Sequence, residues 1–294
     1  MSVTHLLLHP EPDTGDSDLS WLYRAIHAAE TAVFDAVLAP LPGPAVPAEP
    51  STLLANLVPR TTGIGLIAQV SAQYVAPYNQ ARMLNTLDNL SRGRAGWRLV
   101  DAAEDSAAAL HPATTPETQR WLRAAEFVTV LQKLWESWED GAVVADIESG
   151  VYVDADLLHP IDHSGEFFRV AGPLNLPRSP QLHPPLLVGV DSAATAELAR
   201  THADVAVLTG EHPVDAPLVL REITPDLSEP AALAVRLATG DGFVLHLTAA
   251  GTELFTREVL PRLRDLGVVR DRYETSTLRG HLGLAAAVPV GVPQ

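Results

Sequence analysis

The 294-residue sequence contains no cysteine, which excludes disulfides, thiolate metal centres and thiol nucleophiles. Lysine is nearly missing as well: Lys133 stands alone, and every other basic residue is an arginine. The 20 basic residues face 36 acidic ones, for a net charge of −16. No basic stripe exists to follow a phosphate backbone, so the reading is no nucleic acid. An anionic membrane surface is excluded on the same ground, and no apolar run reaches the roughly 18 residues of a membrane-spanning helix. Met1 to His5 carries no basic leader, and Leu6-Leu7-Leu8 is too short for a signal core. A soluble, cytoplasmic protein is therefore expected.

What the chain does have is apolar residues, 47% against 19% charged, enough to bury a sizeable core in one domain over residues 1–294. Short β-branched runs alternate with segments of helical period. Strands are predicted at 3–8, 35–39, 63–71, 97–100, 186–190, 204–208, 217–223 and 242–247. Helices are predicted at 18–34, near Leu53, and at 77–93, 115–138, 193–202, 230–238 and 253–266. Pro77 stands where a helix tolerates a missing N–H, and Thr115-Pro116-Glu117 combines a capping hydroxyl, proline and an acid at a helix start. Between 139 and 185, Pro160, Pro173, Pro177, Pro180, Pro184 and Pro185 mark an irregular excursion with little helix. This βα count is that of a closed (β/α)8 TIM barrel, with a doubly wound open sheet as the alternative.

Chemical motifs are quiet. Asp156, His159, Asp162 and His163 crowd one loop, but Pro160 prevents a helical pair of histidines, and they read as polar loop residues, with no metal expected. There is no Gly-x-Ser-x-Gly elbow, no Gly-Lys phosphate loop and no Gly-x-Gly-x-x-Gly. Ser192, at a strand end opening a helix, suits either an anion site or a plain N-cap. His9 follows the first strand, at the catalytic end of a barrel, and is the candidate catalytic residue; a surface histidine before Pro10 is the plainer reading.

Longer stretches carry a resemblance. They are Gly65-Leu66-Ile67-Ala68, Pro77-Tyr78-Asn79-Gln80-Ala81-Arg82 and the run from Leu87-Asp88-Asn89-Leu90 through Ser91-Arg92-Gly93-Arg94 to Trp97. Further on come Ala125-Glu126-Phe127, Lys133-Leu134-Trp135, His163-Ser164-Gly165-Glu166-Phe167-Phe168, Gly172-Pro173-Leu174-Asn175, Asp241-Gly242-Phe243 and Thr277-Leu278-Arg279. In this order the chain resembles the bacterial luciferase-like flavin monooxygenases, in the branch of nitrilotriacetate monooxygenase component A and the desulfurisation monooxygenases.

The resemblance implies a luciferase-like barrel that binds reduced FMN at its strand C-termini. A separate flavin reductase would supply the FMN, the substrate would be a small organic molecule, and a homodimer is expected. It places cofactor contacts at Gln69, Ser71, Arg98 and Ser192. Several positions depart from the family pattern. Pro40 replaces an aspartate, Gln69 a threonine, Arg98 an asparagine, and Asp101-Ala102 a Thr-Ser pair. Gly189-Val190-Asp191-Ser192 stands for Gln-Ala-Gly-Ser. Asp101 and Asp191 add negative charge near an anionic cofactor, about 4 kcal/mol for like charges 4 Å apart at an effective dielectric of 20, and Arg98 is expected to offset one of them. The C-terminal half is shortened, with a helix lost near Glu211 and a segment lost before Ala231. Two functions follow: an FMN-dependent two-component monooxygenase, or a non-catalytic barrel homologue that has lost flavin and acts as a binding or partner subunit.

Overall fold

Most of the predicted strands are apolar on both faces, as suits strands with side chains inside a barrel and helices outside. The computed structural model describes residues 3–101 and 115–289. In it the strands are β1 (His5–Glu11), β2 (Ala36–Leu38), β3 (Gly65–Ser71), β4 (Ala95–Val100), β5 (His163–Ser164), β6 (Arg169–Val170), β7 (Leu186–Val190), β8 (Val205–Leu208), β9 (Leu218–Ile223) and β10 (Gly242–Thr248). Eight of them, all but β5 and β6, form a closed parallel barrel in which β1 pairs with both β2 and β10. The TIM-barrel expectation holds, and the open sheet is excluded by that closure.

Leu7, Leu38, Ile67, Leu187, Val207, Leu220 and Val244 point inward and are all buried. The alternate residues, among them Leu6, Leu8, Leu66 and Val188, pack outward in a second, larger core. Its outer wall is α1 (Ser20–Thr31), α2 (Pro50–Leu57), α3 (Pro77–Ser91), α4 (Arg120–Glu136), α5 (Ala193–His202), α6 (Pro230–Leu237), α7 (Ala249–Glu258) and α8 (Leu260–Asp265). A last turn, α9 (Leu278–His281), sends Leu278 and the following Leu282 into the inner core at the strand N-termini. Gly65 and Gly96 make that possible, because a Cβ on either would stand 2.6 Å from a Leu278 methyl.

Two expectations are corrected. The helix predicted at 253–266 is two, α7 and α8, because Pro261 has no N–H to continue the first. The helix predicted from Thr115 begins at Arg120, after a 3-10 turn over Glu117–Gln119. Within the excursion, Glu126 of α4 accepts from the Phe167 and Phe168 amides and bonds His163, stapling the β5–β6 ribbon to the barrel wall. Residues 209–217 join β8 to β9 without a helix, as the shortened reading expects. Ala102 lies outside the described residues.

Candidate active site at the barrel mouth

The strand C-termini carry a polar layer directly above the apolar interior. His9 of β1 is the register partner of His246 of β10. Paired positions on adjacent parallel strands face the same way, so the two rings stack at 4.3 Å between centroids and 30° between planes. Glu11, two residues along β1 and therefore on the same face, places Oε1 2.8 Å from His246 Nδ1. Glu222 of β9 takes the other ring nitrogen, 2.7 Å from Nε2. Arg98 of β4 crosses to Glu222 with two guanidinium N–H groups, each at 2.7 Å. Gln69 of β3 donates its amide to the Ala39 carbonyl at 2.9 Å and meets His9 Nε2 at 3.2 Å.

Charge follows from this wiring. Burial would push the Glu222 carboxyl up, but hydrogen bonds from His246 and Arg98, and their charges, hold it at about 2. Burial likewise favours neutral His246, yet its bonds to Glu222 and Glu11 outweigh this and its pKa is raised. His9 goes the opposite way: burial of the ring, then the nearby His246 and Arg98 charges, lower it to about 3. The mouth thus sets an imidazole that burial keeps neutral against one whose two carboxylate partners favour its protonated form, with the Arg98–Glu222 ion pair behind them.

Of the residues expected from sequence, His9, Gln69 and Arg98 come together here. Ser71 ends β3 and is buried, its hydroxyl accepting from the Gln73 amide at 3.3 Å. Ser192 caps α5, exchanging hydrogen bonds with Thr195, and Thr195 also donates to Asp191. Arg98 offsets neither aspartate as anticipated: its partner is Glu222, and Asp101 pairs with Arg120 at 3.6 Å. The loop quartet is divided, His159 bonding Glu139 and His163 bonding Glu126. Glu11, Glu222 and His246 were not anticipated. Strand alternation was the available signal, since Leu7, His9 and Glu11 share one face of β1, and Val244 and His246 one face of β10. On β9, adjacent Arg221 and Glu222 compete for the inward position, and only the closed ring shows Arg221 exposed.

The model of the luciferase-like monooxygenase family matches residues 1–236. The chain belongs to this family. Over 209 residues it is 34% identical to nitrilotriacetate monooxygenase component A of Aminobacter aminovorans, covering 70% of this chain and 46% of that protein. It therefore spans about half the length of that relative. A pristinamycin IIA synthase subunit of Streptomyces pristinaespiralis is 36% identical over 273 residues, 91% of this chain and 90% of that one. A crystal structure of long-chain alkane monooxygenase superposes with a TM-score of 0.82 at 22% identity, over 96% of both chains. At that identity the likeness shows the shared luciferase-like fold. No helix among the described residues is long and apolar enough to cross a membrane.

Proposed function

We propose that the chain is the oxygenase of a two-component flavin monooxygenase, using reduced FMN from a separate reductase and oxygen to oxidise a small organic molecule. The observation that carries this reading is the family match across residues 1–236, the greater part of the barrel. Polar groups at the mouth support a flavin there: Arg98 Nε is buried without a partner, and Gln69 is its register neighbour on the adjacent strand. Ser192 opens a ten-residue helix whose first-turn N–H groups favour an anion. Gln69 and Arg98 would hold the ring system, and Ser192 with its helix start the phosphate. Reduced FMN, when bound, supplies the electrons that activate oxygen.

The chain's own contribution is placement and dryness. The Arg98–Glu222–His246 network fills the floor of the mouth and excludes water from the reacting centre. His9 is proposed to contact the substrate as a neutral hydrogen-bonding group, since a ring of pKa about 3 holds a transferred proton poorly. A cytoplasmic homodimer is part of the same proposal. The end-to-end likeness to a protein named as one subunit of a synthase supports the alternative of a partner to an active homologue.

Flavin binding separates the two. Titration with oxidised FMN, and with reduced FMN under anaerobic conditions, is followed by flavin fluorescence and thermal unfolding. A Kd of about 10 μM at about 100 μM ligand adds roughly 1.4 kcal/mol of stability, and Arg98→Ala removes most of that gain. No stabilisation in either redox state transfers the chain to the non-catalytic role.

A further inference from the structure

Two histidines in strand register, with a carboxylate one step above them, bring together the ligand types of a transition-metal site. We infer that the barrel mouth binds a first-row divalent transition cation through His9, His246 and Glu11. One ring nitrogen from each histidine and one Glu11 oxygen all lie within 4.8 Å of one another. A tetrahedral cation with bonds of about 2.1 Å needs ligand atoms about 3.4 Å apart, so the two rings must turn edge-on toward it from their stacked packing at 4.3 Å. Two imidazoles and one carboxylate suit Zn²⁺, Fe²⁺ or Ni²⁺, whereas Mg²⁺ and Ca²⁺ favour oxygen donors.

Independent features support the assignment. His9 Nδ1 is buried with no hydrogen-bond partner, although both nitrogens of the adjacent His246 are satisfied. Glu222 accepts from His246 Nε2 and is itself clamped by Arg98, the outer carboxylate that orients a metal-bound imidazole. The cation then takes His246 Nδ1, on the Glu11 side. Coordination through His9 Nδ1 leaves the ring proton on Nε2, so the Gln69 amide turns its oxygen toward it and gives up its bond to Ala39. Glu11 is 44% exposed, which provides a way in from solvent. Three protein ligands leave a coordination position for water or substrate.

The test uses tag-free, chelator-treated, flavin-free protein, so a negative result leaves the oxygenase reading standing. Zn²⁺ is titrated by calorimetry and Co²⁺ by visible absorption, with uptake of one ion per chain expected. Glu11→Gln and His9→Phe abolish saturable uptake, and Glu222→Gln weakens it by about 10- to 100-fold. The double variant His159→Ala/His163→Ala, on the excursion, retains it. Glu11 lies at the rim, so its variant keeps the fold, which circular dichroism melting verifies. Absence of stoichiometric uptake in the natural chain, or uptake undiminished in Glu11→Gln and His9→Phe, overturns the proposal.

Discussion

At the strand N-termini the barrel is stopped by Leu278 and Leu282, both buried against Leu7, Ile67 and Val244. At the strand C-termini it carries Arg98, Glu222, His246 and Glu11, bonded in a chain, with His9 stacked on His246. The apolar end gains from every group it removes from water. The charged end must first strip most of the water from the Arg98 guanidinium and the Glu222 carboxylate, and close pairing returns that cost only in part. Such a layer is weak ground for stability and good ground for function, and it lies at the face where barrels of this kind place their chemistry.

The difference predicts unequal responses to mutation. Leu278→Ala should cost about 3–4 kcal/mol in urea unfolding, since the fully buried side chain leaves a cavity beneath Gly65 and Gly96. Ligand binding at the far end should be unchanged. Altered flavin or metal affinity in that variant would show that the two ends are coupled and not independent.

At the charged end the informative experiment uses two substitutions. Arg98→Met alone strands the largely buried Glu222 carboxylate on its bond to His246 and should destabilise by about 2 kcal/mol. Adding Glu222→Leu removes the stranded charge, and the double variant should recover most of the loss while losing flavin binding. A double variant as unstable as the single would mean that the ion pair holds the barrel together after all.

The contrast also explains what can be read from sequence. Strands of a parallel barrel are short and apolar on both faces, so they stand out from the chain, and the helix predicted at 193–202 matches α5 to the residue. The apolar plug is visible as Thr277-Leu278-Arg279 within a family pattern, although its destination is not. His9, Gln69 and Arg98 follow from one inference, that the residues ending barrel strands line the mouth. Their partners do not follow, because Glu11 and His246 meet across 235 positions of sequence. Adjacency of the first and last strands is a product of closure, and register is set by the whole ring. Local pattern carries neither. The split at Pro261 is signalled by the proline itself, yet the apolar period runs through it unbroken and masks the break.

The smallest expected effect lies between the two ends, where Glu126 ties the excursion to α4. Burial would raise its pKa, but His163 and the Phe167 and Phe168 amides hold the carboxyl below its ordinary value. A depressed carboxyl stabilises the fold above its unfolded pKa, about 4.3, and that contribution fades as the pH falls through the folded pKa. Glu126→Gln should therefore cost about 1 kcal/mol near neutrality. The difference between its melting temperature and that of the natural chain should shrink as the pH falls below about 4.3 and vanish once the folded carboxyl is protonated. A constant difference across that range would assign the loss to packing of the ribbon and not to the carboxylate, and would place the excursion with the apolar end of the molecule.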